Sequence, residues 1–173
     1  MINKQLEHDE YFRQQDKFPI CLLLDDFEDP LNVGSFFRLS DALGVEKIYL
    51  TGKTPVPPHR KISRTSRSTE KYVDYVYFDK VEEVMSSLKK QNYTIIALEI
   101  TSNSIDLRNL DYLKFEKICL VAGSENQGIK TFILNSADHT IHIPMLGNNS
   151  SMNVATAGAI ALFEIISTLS NSF

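Results

Sequence analysis

Short apolar runs alternate with helix-period segments and polar turns from one end of the chain to the other. That pattern predicts an α/β fold, a mostly parallel sheet with helices on both faces. A polar opening segment reads as a helix over 4–15, and the run ICLLL at 20–24 reads as a short buried strand. After the loop DDFEDP, Phe36, Leu39, Ser40 and Leu43 recur at spacings of three and four and Gly44 ends the run, which predicts a helix over 32–43. Strands are predicted at 48–51 and 72–78, with a Pro-rich loop over 52–71 between them. Asp79 reads as the cap of a helix over 81–91, followed by buried strands at 93–99 and 117–122. The last third predicts a short helix after Gly128, a strand near 139–143 stopped by Pro144, a Gly/Asn/Ser loop, and a closing helix from Val154.

Composition narrows the class. The 173 residues fit one domain, 1–173, with 1–18 as an N-terminal helical extension. Val154 to Leu169 is the longest apolar stretch, and Thr156, Glu164, Ser167 and Thr168 interrupt it, so no membrane span is expected. The polar start has no apolar signal core, and the expected location is cytoplasmic. Cys21 and Cys119 each sit inside an apolar run, the usual place for a free buried thiol. Neither they nor the four histidines have zinc spacing, so no metal is expected.

The net charge of −4 argues, as an average, against a nucleic-acid partner. Segment 59–71 changes that picture: Arg60, Lys61, Arg64, Arg67 and Lys71 against Glu70 leave it at +4, while the other 160 residues carry −8. Ser63, Thr65 and Ser66 interleave with the cations, a composition suited to phosphate contacts and equally to a solvated charged loop.

Three further segments could carry chemistry. In the first, Asn32 is followed six residues later by Arg38, which lies nearly opposite the apolar stripe of its helix; an N-cap Asn and a solvated Arg explain the pair as well. The second, KICLVAGSENQGIKT, is a buried strand entering a Gly-bracketed loop. Gly123 and Gly128 have phosphate-loop spacing, but Ile129 stands where the lysine belongs and Lys130 arrives one residue late. Glu125 would repel a phosphate there and suits a hydroxyl, an amine or a cation; a tight turn with a carboxylate at a helix start is the plainer reading. The third, IHIPMLGNNSSMNVATAGAIALFE, opens a polar loop with Ser151 and Asn153 into a small-residue helix, either deeply buried or shared with another subunit.

Together these three segments resemble the three motifs of the SPOUT superfamily in its SpoU/TrmH branch, the tRNA and rRNA ribose 2′-O-methyltransferases. DPLNVGSFFRLSDALGV is similar to the first motif through Asn32 and Arg38. VAGSENQGI is similar to the second through Gly123, Glu125 and Gly128, and IPMLGNNSSMNVATAGAI to the third through Pro144, Gly147, Ser151 and Asn153. Asn126, Met152 and Ala155 depart from the commoner motif residues. The resemblance implies a C-terminal deep trefoil knot over roughly 93–165, a homodimer, and S-adenosyl-L-methionine as cofactor. It places that cofactor against Leu98, Glu99, Ala122, Gly123, Ile143, Met145 and Met152.

The resemblance also implies roles. Arg38 is the activator of the 2′-hydroxyl. A guanidinium pKa above about 12 makes it first an orienter of phosphate and O2′, with proton abstraction as the other role. Glu125 and Asn32 would fix Arg38 and the loops, while Ser151 and Asn153 would hold the ribose or the second motif. With only about 18 residues before the first strand and an end at Phe173, RNA would be read by Arg60, Lys61, Arg64, Arg67 and Lys71 together with the dimer surface. The short architecture and the SRTSRSTEK segment favour tRNA over rRNA. The alternatives are an rRNA 2′-O-methyltransferase and a non-catalytic knotted RNA-binding protein.

Overall fold

The computed structural model describes residues 3–7, 10 and 17–170. One seven-stranded sheet, every pairing parallel, forms its centre, in the order β3-β2-β1-β6-β4-β7-β5. In chain order the elements are β1 (Phe18–Asp25), α1 (Pro30–Ala42), β2 (Val45–Thr51), α2 (Arg60–Ser66), β3 (Asp74–Phe78), α3 (Val81–Lys90) and β4 (Tyr93–Leu98). There follow β5 (Ile105–Asp106), β6 (Lys117–Ala122), α4 (Thr131–Ser136), β7 (His139–His142) and α5 (Val154–Ser170). Among the described residues no helix is long and apolar enough to cross a membrane.

Strand alternation assigns the two faces. Ile20, Leu22 and Leu24 of β1 point into the larger core, with Phe36 and Phe37 of α1, Ile62 of α2 and Leu162 and Ile165 of α5. Cys21 and Leu23 point the other way, against Val84 and Leu88 of α3 and Ile133 of α4. Both faces of the inner strands are covered, so those strands are continuous apolar runs. Cys21 and Cys119 are free, fully buried, and in register on neighbouring strands. Burial pushes the Cys21 thiol up, away from the reactive thiolate.

Several expectations need correction. The helix over 4–15 falls partly on residues outside those described, and the described residues 3–7 form no helix. The stretch expected as a loop over 52–71 contains α2 and a 3-10 turn at Thr69–Lys71, because Ile62 has a core site to fill and His59 caps the helix through Lys61 N–H (3.2 Å). Lys80, with no side-chain cap, takes the position assigned to Asp79. Asp29 rather than Asn32 caps α1, accepting from Leu31 N–H at 2.9 Å, so α1 begins two residues earlier than predicted. The two-residue β5 has no period to read and was not expected.

The basic helix α2 lies directly on α1. A Cβ at Gly34 would meet the Ile62 carbonyl oxygen at 2.7 Å and the Thr65 Cβ at 2.9 Å, so the two helices touch where α1 has no side chain. Helix propensity favours Ala over Gly by about 0.5–1 kcal/mol, while overpacking against backbone costs about 1–3 kcal/mol. Gly34→Ala should therefore destabilise the protein by about 1–2 kcal/mol in urea denaturation; unchanged or increased stability would show that α2 is free to move off α1.

Candidate active site

The loops that leave the C-terminal ends of β4, β6 and β7 enclose a cavity of about 400 Å³. In open parallel sheets this edge is the usual ligand site. Leu98, Glu99, Gly123, Glu125, Ile143, Met145, Ser151, Met152 and Asn153, all expected at a site, line it together. Ala122 is buried as the last residue of β6, and Asn32 reaches the site through hydrogen bonds.

Those bonds form a relay with fixed polarity. The Glu125 carboxylate accepts from Asn32 Nδ2 at 2.7 Å and from the backbone N–H groups of Glu28 (2.8 Å) and Asp29 (3.2 Å). Asn32 Oδ1 accepts from Asn153 Nδ2 at 3.0 Å, and Asn153 Oδ1 accepts from the N–H groups of Ala155 (3.0 Å) and Thr156 (3.1 Å) at the start of α5. A carboxylate only accepts and backbone nitrogen only donates, so neither asparagine amide can be turned round without breaking the relay at one end. Asn153 is thus the cap of α5 as well as a link between loops. Burial pushes the Glu125 carboxyl up, but the Asn32 amide and the N–H groups at the start of α1 outweigh it and hold the pKa below its ordinary value.

A second exchange runs beside the first. Glu28 accepts from Ser124 Oγ (3.2 Å) and Asn126 Nδ2 (2.8 Å), so each loop sends a carboxylate into the other. The loop after β6 is closed by Gly128 N–H donating to the Ser124 carbonyl oxygen at 2.9 Å. It tolerates no side chain at either glycine: a Cβ on Gly123 would lie 2.4 Å from the Gly128 oxygen, and one on Gly128, at φ +67°, 2.5 Å from Glu99 Oε2. Glu99 itself accepts from Ile129 N–H (3.2 Å) and Ile100 N–H (3.0 Å).

Lys130, one residue too late for a phosphate loop, turns back to pair with Asp25 (2.9 Å) and Asp26 (2.8 Å) at the end of β1. Asp25 is 2% exposed and also accepts from Thr51 Oγ1 at 2.7 Å. Burial opposes charge on Lys130 and on Asp26, yet pairing prevails in both, raising the amine and lowering the carboxyl. The pair ties β1 to the start of α4 from beneath the cavity.

Other expected residues are not at the cavity. Arg38 is exposed on α1, six residues or about 9 Å along the helix axis from Asn32, and does not line the cavity. Arg60, Lys61, Arg64, Arg67 and Lys71 are exposed on α2 and the turn that follows, and none is ion-paired among the described residues. The interleaved hydroxyls are not open to phosphate: Ser63 (2.8 Å) and Ser66 donate to Glu70, and Thr65 donates to the Lys61 carbonyl oxygen (3.1 Å). Burial raises the Glu70 carboxyl, and those hydroxyls overcome it and hold it below its ordinary value. Sequence reading missed Glu28, Ser124, Asn126 and His142. Glu28 had only its place in an acidic loop as a signal, and His142 only its place beside Ile143 at the end of an apolar run. Among the described residues no group of three or more His, Cys, Asp or Glu is placed to hold a metal ion.

Known proteins share this fold. The chain is 29% identical over 153 residues to a Staphylococcus saprophyticus protein assigned to the TrmH family of tRNA/rRNA methyltransferases, covering 88% of this chain and 60% of the relative. The chain thus spans about 60% of the length of that relative. An AdoMet-bound rRNA methyltransferase from Sinorhizobium meliloti superimposes with a TM-score of 0.82 at 27% identity, over 90% of this chain and 58% of that one. The TrmH/SpoU tRNA modifying enzyme of A. aeolicus does so with a TM-score of 0.81 at 25% identity, over 91% and 79%. The model of the SpoU rRNA Methylase family matches residues 19–163, from β1 into α5 and through all three joined loops, and the chain belongs to that family.

Proposed function

We propose that this protein transfers a methyl group from S-adenosyl-L-methionine to a ribose 2′-hydroxyl of RNA, tRNA in preference to rRNA, and that it acts in the cytoplasm as a homodimer. The observation that carries this reading is the Glu125–Asn32–Asn153 relay, which joins two loops that line the cavity, those after β6 and β7, through the start of α1. The residues present suit the cofactor. Leu98, Ile143, Met145 and Met152 give apolar walls, Gly123 and the backbone of Ala122 allow close approach, and Glu99 lies at the rim. His142 also lines the cavity, and its Nδ1 is buried without a hydrogen-bond partner, a polar atom left for a ligand to satisfy.

The cofactor supplies an activated methyl on a sulfonium, so the protein's task is to orient the acceptor and manage charge. Ser151, exposed at the mouth, is placed to hold the ribose. Arg38 orients a phosphate and O2′ through the five N–H donors of its guanidinium. Since Arg38 lies outside the cavity of its own chain, a second copy would complete the site. Apolar surface on α5, with Phe163 at 64% and Ile160 at 41% exposed, suits that contact. The knot over roughly 93–165 is supported by strand order, in which β6 inserts between β1 and β4 and β7 lies beyond β4. Two free buried thiols agree with a reducing compartment. The A. aeolicus tRNA enzyme, matched over more of its length than the S. meliloti rRNA enzyme, favours tRNA.

Purified protein incubated with labelled cofactor and total RNA should place methyl groups on tRNA ribose, mapped by resistance of the adjacent phosphodiester to alkali. Label on bases, or only on rRNA, would overturn the finer reading. In the same assay Arg38→Ala should lower turnover by about 100-fold or more while cofactor affinity is kept; wild-type turnover would remove Arg38 from the mechanism. Glu125→Gln should cost about 10- to 100-fold in turnover, because its NH2 must face a donor whichever way the amide is turned, Asn32 Nδ2 and Asp29 N–H in one orientation or Glu28 N–H in the other. The lowered Glu125 pKa adds stability that is present above its unfolded value and lost as pH falls through the folded one. The Gln variant should lose that acid-side dependence in thermal melts. Charge reversal at Arg64 and Arg67 should weaken RNA binding and flatten its dependence on salt by roughly one slope unit per residue. Unchanged RNA affinity would exclude α2 from the interface.

A further inference from the structure

β3 is an outer strand of the sheet, paired on one side only. Its Tyr75 and Tyr77 register with Ile48 and Leu50 of β2, so both rings stand on the face covered by α1 and α2. Each is anchored from below: the Tyr75 ring meets Phe37 edge-on at 5.3 Å between centroids, and the Tyr77 hydroxyl donates to the Gly52 carbonyl oxygen at 2.9 Å. Each also stays open above, at 37% and 44% exposed. Tyr72, where the 3-10 turn hands over to β3, is 74% exposed. α2 packs against that turn, so Tyr72, which follows Lys71 directly, lies next to the helix that carries Arg64 and ends at Arg67, and Tyr75 and Tyr77 continue along the chain from it.

Held aromatic rings beside unpaired cations suit one class of partner well. Bases stack on the rings whatever their identity, and phosphates meet the cations. A duplex keeps its bases stacked inside and offers the rings nothing, whereas loops and ends can splay bases outward. A peptide strand added to β3 would gain nothing from the cations and would meet the charged Asp74 at the start of this short outer strand and Asp79 and Lys80 just past its end. We infer that Tyr72, Tyr75 and Tyr77 with the basic side of α2 form a stacking platform for unpaired RNA nucleotides. This rests on RNA being the substrate and adds that the substrate presents a single-stranded segment beside its methylated ribose. Three strand spacings, about 14 Å, separate β3 from β6 across the sheet, and Tyr77 lies one residue before the C-terminal end of β3, the edge at which the cavity opens, so an RNA loop in the cavity would meet Tyr77 first and the other rings back along the chain.

The test uses the full chain with an unstructured oligouridylate and an RNA duplex of equal length. Tyr72→Ala, alone and combined with Tyr77→Ala, should weaken oligouridylate binding by about 5- to 30-fold. Tyr72→Phe should bind as wild type, and the salt dependence should be unchanged in all three variants. Because the chain has no tryptophan, Tyr72→Trp adds a single reporter whose emission oligouridylate should quench and duplex should not. If alanine variants bind like wild type while reversals at Arg64 and Arg67 weaken binding, the platform is refuted and the RNA reading stands. If the wild type binds neither RNA, that reading fails and the platform with it. Equal loss on duplex, or altered self-association in place of RNA binding, would assign the face to another partner and overturn the inference.

Discussion

Two loops that line the cavity, after β6 and β7, are joined to the start of α1 by one chain of hydrogen bonds. Asn32 and Asn153 are separated by 121 positions, and Asn32 and Glu125 by 93, yet their side chains share a single direction of donation from the start of α5 to the carboxylate. That direction is set at both ends by groups that cannot reverse. A relay of this kind has no half-broken state of low cost, since an inverted amide would leave two donors or two acceptors facing each other in partly buried surroundings. It makes the cavity's shape depend on all three segments at once.

Beneath the relay, the Lys130 pairing with Asp25 and Asp26 acts on the same two segments through charge. Removing a buried carboxylate from water is costly, so Asp25 is sustained only because Lys130 and Thr51 both satisfy it. The tight loop between Gly123 and Gly128 then leaves backbone, rather than side chains, against Glu99 and the cavity. Preorganised polar groups of this sort suit a reaction whose reactive group is brought by a cofactor and whose acceptor has only to be placed.

The basic surface follows a different logic. Net charge averages opposite regions and misdirects, because the cations of α2 stand clear of the acidic residues elsewhere. Glu70, the one anion among them, is held by serine hydroxyls rather than by Arg or Lys, which leaves the positive charges unneutralised. Gly34 lets α2 sit close on α1, the helix that carries Asn32 and Arg38, so the basic helix and the helix that anchors the relay form one packed unit.

The sequence by itself determined the alternation of strands and helices, the central strands and the closing helix, because local period is written in neighbouring positions, and its three motifs pointed by resemblance to many of the residues that line the cavity, though not to Ser124, Asn126 or His142. It also determined that the basic charge is concentrated in one segment. It could not determine that segment's conformation: the Pro-rich stretch has too short an apolar period to announce a seven-residue helix, and Ile62 reveals its role only once the core is assembled. Nor could it distinguish Asn32 as a cap from Asn32 as a link, since the same side chain suits both, only the cap is a local role, and Asp29, three residues earlier, takes it. Only the tertiary structure decided where each polar side chain found its partner. Hydrogen bonds across 93 or 121 positions leave no periodic trace, and their geometry exists only after the sheet has brought the strand ends together.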